Sequence, residues 1–159
     1  MFETEKKKSY KEHTINPDPH YGSVLVSKFI NHVMREGKKS VAERIVYEAF
    51  SDIKKKTKKE PVEVFEVALD NVAPEMEVRS KRVGGATYQV PMKVNQKRST
   101  SLAMRWIVNA AKNKKGKKMS ERLFDELMSA SQNEGEAVKK KETMHKMAKA
   151  NKAFAYLAK

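Results

Sequence analysis

The apolar residues of this chain change their spacing part-way along, and that change limits the fold more than any other feature. Before residue 73 they recur at helical spacing. Between residues 75 and 94 they alternate instead. Met76 and Val78 interleave with Glu75, Glu77 and Arg79, and Tyr88, Val90, Met92 and Val94 interleave with Thr87, Gln89, Pro91 and Lys93. A period of two belongs to a half-buried strand. Two such runs around a six-residue, glycine-containing turn at 80–85 predict a β-hairpin over 75–94. Pro91 has no N–H to give a central ladder, so the hairpin is an edge or a free-standing ribbon. A two-stranded ribbon is marginal alone and has to lean on helices or on a partner.

Helical spacing surrounds the ribbon. Over 23–36, Leu25, Phe29 and Val33 with Val26, Ile30 and Met34 predict an amphipathic helix that Gly37 stops. Ser40 and Glu43 have the spacing of a capping box for a second helix. Its inward stripe is Ile45, Val46, Ala49, Phe50 and Ile53, and it dissolves in the lysine run at 54–59. Pro61 suits the first turn of a third helix, with Phe65, Ala68, Leu69 and Val72 inward. A fourth runs from Ser101, with Leu102, Trp106 and Ala110 beside Ala103, Ile107 and Ala111, and ends in the loop at 112–118. A fifth starts near Ser120 with Leu123, Phe124, Leu127 and Met128. A sixth covers roughly 136–158, marked by Val138, Met144, Met147, Ala148 and Phe154. The first 22 residues, ending in Asn16-Pro17-Asp18-Pro19, lack periodicity and read as an arm over the surface. The expected class is therefore mainly α. A basic N-terminal arm, 1–22, precedes one bundle-like helical domain, 23–159, of about six helices, with the hairpin protruding between the third and fourth.

A chain of 159 residues can bury about two-thirds of its unfolded surface, so one core suffices without a staple. It has no cysteine, which excludes thiol catalysis, thiolate metal sites and a disulfide framework. No apolar run approaches the ~20 residues that span a bilayer. The opening Met1-Phe2-Glu3-Thr4-Glu5 lacks the pattern of a signal peptide. The expectation is a soluble, cytoplasmic protein with no membrane partner.

Charge narrows the function. Thirty-four basic against 20 acidic residues leave a net +14, and the pI of about 9.8 is that of a nucleic-acid binder. The sign is unevenly placed. Residues 60–78 hold six acids and no base, whereas 79–122 hold thirteen bases against Glu121 alone. A solvated basic surface is interspersed with acids for solubility, so a nearly acid-free stretch of that length points to a polyanion. Five of the seven arginines, at 79, 82, 98, 105 and 122, fall inside it. Arginine adds a planar fork that grips phosphate, which lysine lacks.

Gly37-Lys38-Lys39-Ser40 resembles a phosphate loop only superficially. His32 stands where that motif needs glycine, and the context is helix to helix. Lys38 and Lys39 nevertheless sit at the positive end of the second helix, a place for a phosphate. Arg79, Lys81 and Arg82 crowd the hairpin turn beside Gly84 and Gly85, which permit close backbone approach. Charges on an edge ribbon also serve to block strand addition. On the fourth helix Arg105, Asn109 and Lys112 share a face, extended into a patch by Lys97, Arg98, Lys114, Lys115, Lys117, Lys118 and Arg122. Trp106 lies on the apolar stripe and reads as core rather than as a base platform. His13, His20, His32 and His145 have no metal-ligand spacing, and no pair of carboxylates stands out for acid–base work. The residues therefore suggest a non-enzymatic nucleic-acid binder without cofactor or metal. A DNA-binding regulator is the alternative, although it would want a recognisable reading helix.

Four blocks carry a more specific signal: PDPHYGSVLVSKFINHVMREGKKSVAERIVYEAF, FEVALDNVAPEMEVRSKRVGGATYQVP, SLAMRWIVNAA and AVKKKETMHKMAKANKAFA. In order and spacing, over residues 15 to 155, the chain resembles the family of bacterial small-subunit ribosomal protein number seven. The resemblance implies six helices with a protruding hairpin, and a primary binder of the 3′ domain of 16S rRNA that nucleates assembly of the subunit head. It implies a hairpin near the exit-site tRNA and the mRNA path, and neighbouring small-subunit proteins of the head and platform as partners. Lys38 and Lys39 match the family's basic turn. Arg79, Lys81, Arg82, Gly84, Gly85 and Gln89 match its hairpin, and Arg105 with Trp106 its fourth helix. The family usually opens with a run rich in Arg and Lys, whereas this chain places Phe2, Glu3 and Glu5 before its first lysines.

Overall fold

The structure, a computed structural model, describes residues 13–158. The arm's residues 1–12 and Lys159 lie outside the described residues. Six α-helices, one two-stranded hairpin and a short 3-10 helix follow in order: α1 Val24–Val33, α2 Lys39–Thr57, α3 Pro61–Val72, β1 Met76–Val83, β2 Ala86–Lys93, α4 Gln96–Asn113, α5 Met119–Ser131, α6 Glu136–Ala150 and the 3-10 helix Lys152–Ala158. The fold is thus mainly α, with the hairpin between α3 and α4.

One continuous core joins the helices. Phe29, Phe50 and Phe65, each fully buried, meet with ring centroids 4.8 and 5.5 Å apart and tie α1, α2 and α3 together. The α5 helix packs against α2, α3 and α4 and buries Leu123, Leu127 and Ala130 completely. Trp106 is 8% exposed within this core, as its place on the apolar stripe of α4 predicts. The described end of the arm is anchored too. The buried Asp18 carboxylate accepts from the backbone N–H groups of His20 and Tyr21 and from the Tyr47 hydroxyl at 2.6 Å.

Several local expectations are corrected. α1 stops at Val33, short of Glu36, because Met34 turns extended; Glu36 and Gly37, at φ 52° and 71°, then make a tight turn closed by Lys38 N–H on the Arg35 carbonyl. Gly37 therefore serves this turn and does not terminate α1. The α2 helix starts directly after the turn, with Lys38 at its N-cap and no side-chain cap. That leaves Ser40 inside the first turn, so the expected Ser40–Glu43 capping box does not form. α4 begins at Gln96, five residues before Ser101, because the Asn95 side chain accepts from Arg98 N–H at 2.9 Å. Its first turns hold no apolar residue to announce them. The last expected helix breaks at Asn151, whose side chain donates to the Met147 carbonyl. The tighter 3-10 helix follows and sets Phe154 against Tyr88, at 5.3 Å between centroids.

The strands run further toward the tip and the turn is shorter than the pattern suggests. Val83 pairs with Ala86, so only Gly84 and Gly85 form the turn, and positive φ at both (57° and 85°) gives the mirror-image geometry that suits the twist of a two-residue hairpin. Arg79, Lys81 and Arg82 consequently lie on β1 and not in a six-residue turn. The ribbon leans on α6 and the 3-10 helix: Lys81 Nζ donates to the Leu157 carbonyl at 2.7 Å, and Glu75 N–H donates to His145 Nε2 at 3.1 Å.

Candidate nucleic-acid interface

Alternation along β1 divides the hairpin cations between two faces. Arg79 and Lys81 share the face of Tyr88 and Val90, their cross-strand partners, and this face rests on the C-terminal segment. Arg82 shares the other face with Ser80, Gln89 and Thr87, where Gln89 donates to Ser80 Oγ at 2.9 Å. From Arg79 to Thr87 every residue of the ribbon is exposed. Arg82 is thus the hairpin arginine with its whole face in solvent, and the two glycines at the tip add no side chain to obstruct a backbone.

At the base of the ribbon lies a residue that the sequence pattern places wrongly. Glu77 alternates as an outward residue but is only 5% exposed. Its carboxylate accepts from Arg79 Nε at 2.6 Å and from Arg98 Nε at 2.8 Å to each oxygen. Burial alone would raise the Glu77 carboxyl, but the hydrogen bonds and charges of Arg98 and Arg79 outweigh it and hold it below its ordinary value. The clue in the sequence is a lone acid between strand residues with two arginines in reach, which only the fold identifies. Both guanidiniums remain nearly half exposed, so each is fixed by Glu77 and still offers donors outward.

Arg98, Arg105 and Lys112 follow at intervals of seven, so they form one stripe along α4 about 21 Å long. The stripe starts at the hairpin base and ends beside the turn between α1 and α2. There Arg35, Lys38, Lys112 and Arg122 line one groove, which brings together cations from the α1–α2 turn, α4 and α5. Burial and the neighbouring Arg35 lower the Lys112 pKa, and burial with Arg105 does the same to His32. Arg35 stands apart from the basic stretch at 79–122 and comes to Lys112 only through the turn that follows α1.

The remaining candidates divide by what they touch. Arg122 Nη1 donates to the carbonyls of Lys112 and Lys114 and closes the loop between α4 and α5. Lys114 pairs with the fully buried Glu126 at 2.8 Å, and Lys117 with Asp125 at 2.7 Å. Lys38 meets Glu36 at 3.2 Å in an exposed pair. Lys39, Arg82, Arg105, Lys115 and Lys118 are exposed and have no ion pair among the described residues. No helix is long and apolar enough to cross a membrane, and no group of three His, Asp or Glu side chains is placed to hold a metal among the described residues.

The family profile described as ribosomal protein S7p/S5e matches residues 5–152. The chain belongs to this family. Its relatives include the small ribosomal subunit protein uS7 of a Chelativorans species, 60% identical over 142 residues that cover 89% of this chain and 91% of the relative. The protein of the same name from Thermotoga maritima is 55% identical over 151 residues, 95% of this chain and 97% of its own. That of Pelagibacter ubique is 52% identical over the same shares of both chains. The S7p/S5e match takes in both the hairpin and the α1–α2 turn.

Proposed function

We propose that the chain binds the 3′ domain of 16S rRNA as a primary binder and nucleates assembly of the subunit head. As a member of its family it is a structural protein of the small ribosomal subunit, without enzymatic activity. It works in the bacterial cytoplasmic ribosome, with rRNA and ribosomal proteins as partners. The observation that carries the RNA reading is the α4 stripe, which links the Glu77-held arginines of the hairpin base to the cationic groove at the α1–α2 turn. A rigid helix bearing cations at both ends fixes phosphate contacts in register and so selects a folded RNA by its shape. The contacting set is Lys38, Lys39, Arg79, Lys81, Arg82, Gly84, Gly85, Gln89, Arg98, Arg105, Lys112, Lys114, Lys115, Lys117, Lys118 and Arg122. Within the assembled subunit, the protruding ribbon with Arg82 at its tip reaches toward the exit-site tRNA and the mRNA path, and neighbouring proteins of the head and platform flank the domain.

Crosslinking to intact 16S rRNA, followed by sequencing of the bound fragments, tests the reading. Crosslinks from the hairpin and from the α1–α2 turn should both map to the 3′ domain. Crosslinks confined to another domain, or equal binding to duplex DNA in competition, would overturn it.

A further inference from the structure

The groove between the α1–α2 turn and the α4–α5 loop has a volume of about 350 Å³ and an uneven chemistry. Arg35, Lys38, Lys112 and Arg122 supply its cations, and no carboxylate lines it. Val33, Met34, Val41, Ala42, Ile45 and Met119 supply an apolar floor. Val41 is 45% exposed there, although it stands on the first turn of a helix with an otherwise ordinary polar surface. A purely phosphate-binding surface has no use for that floor, and a purely apolar pocket has no use for the cations.

We propose that this groove receives a single unpaired nucleotide of the bound RNA, with the base on the Val41–Met119 floor and its phosphate among Arg35, Lys38 and Lys112. The proposal rests on the RNA-binding reading above and names the part of an RNA that this groove takes. Three observations carry it. The volume falls in the range of small-ligand pockets. The floor pairs an aliphatic side chain with two thioethers, Met34 and Met119, soft groups that pack on a flat ring. The like charges of Arg35 and Lys112 crowd each other with no acid among the groove residues, which leaves a place for an anion. Arg122 is already held by two backbone carbonyls and forms a fixed wall. The Glu36 carboxylate on Lys38 lies outside the lining and is exposed, so a phosphate can displace it. Single-stranded loops and bulges with splayed bases are the usual targets of sequence-specific RNA recognition, which makes such a pocket a reader of one nucleotide within a shape-selected fold.

The test uses the full chain, a 16S 3′-domain RNA and a blunt RNA duplex of equal length. V41W fills the groove without altering its charge, from a position that is itself 45% exposed. It should weaken binding to the 3′-domain RNA about tenfold, leave duplex binding unchanged, and shift the salt slope by less than the equivalent of about two phosphates. In the parent complex, dimethyl sulfate or an equivalent base probe should find one unpaired nucleotide protected, and V41W should expose it. This second measurement on the unaltered protein stands even if V41W misfolds. Undiminished affinity of folded V41W, or a parent complex with no protected unpaired base, overturns the pocket while leaving RNA binding intact. A parent chain that binds neither RNA overturns the RNA reading itself, and the pocket with it.

Discussion

Arg98 grips the buried carboxylate of Glu77 with Nε at 2.8 Å from each oxygen and Nη2 at 2.8 Å from Oε2, which joins the first turn of α4 to the first residues of β1. The ribbon has no third strand among the described residues, so its hold on the helices comes from this contact together with those to α6 and the 3-10 helix. A carboxyl whose pKa is lowered in the folded state favours folding fully above its unfolded value, and that contribution is lost as pH falls through the folded one. E77Q keeps the shape and removes the charge. The parent should be the more stable protein near neutral pH, by about 2–3 kcal/mol. This is less than the cost of breaking a fully buried pair because both arginines are half exposed. The difference should begin to shrink below about pH 4.3 and vanish only as pH falls through the lower folded-state value. Urea titrations from pH 7 to pH 3 check this, and a constant difference across that range would refute it.

Trp106→Ala should act on folding and not on RNA. The ring is 8% exposed within the core, and truncating such a side chain costs about 3–5 kcal/mol. That is a large part of the stability of an ordinary domain. Denaturant unfolding should show the loss, and filter binding at low temperature, where the variant is still folded, should give the parent's affinity. A variant that melts like the parent but binds RNA weakly would place the ring on a base.

The helical core was legible because burial leaves a period. Phe29, Phe50, Phe65, Ala68, Leu123 and Leu127 fall on stripes that need no tertiary information. Strand β2 was legible for the same reason, with Tyr88 and Val90 marking its packed face, whereas Met76 and Val78 of β1 pair with Lys93 and Pro91 on the other face. What escaped is polar. Asn95 caps α4 ahead of any apolar residue, and Ser99 is buried because it donates to the Pro74 carbonyl. Glu77 is buried because two arginines, one of them 21 residues away, converge on it. Ser99 and Glu77 are specified by partners distant in sequence, and alternation alone assigns Glu77 to solvent, whereas the Asn95 cap is local but has no apolar residue beside it to mark the helix start. The candidate site divides likewise. The charge count finds the basic stretch, but only the fold separates Arg122 and Lys114, tied into the α4–α5 loop, from Arg82 and Arg105, which face outward. Only the fold brings Arg35 to Lys112.

Strand alternation predicts different outcomes for adjacent hairpin cations. Lys81 donates to the Leu157 carbonyl, so K81A should loosen the C-terminal 3-10 helix, read as faster amide exchange around residues 154–158. Arg82 lies on the open face and has no ion pair among the described residues. R82A should leave exchange unchanged and flatten the salt slope of RNA binding by the share of one phosphate, about 0.7–0.9 units. Identical effects of the two substitutions would show that the ribbon twists both side chains to one side.

Lys38 and Lys39 provide the most distant test of the α4 stripe. Both are exposed, one at the N-cap and one in the first turn of α2, where backbone N–H groups and the helix dipole favour an anion. Removing them touches no core residue, so K38A with K39A should shift stability by no more than about 0.5 kcal/mol. RNA binding should weaken, with a salt slope lower by about 0.7–0.9 units for each phosphate that the variant no longer neutralises. The hairpin and this turn are held apart on a rigid scaffold, so the weakening should add to that of R82A within about 0.5 kcal/mol. Hydroxyl-radical footprints should then lose protection in two separate RNA segments, one for each variant. An unchanged footprint in K38A with K39A would confine the interface to α4 and the hairpin and leave the two lysines as a solvated turn.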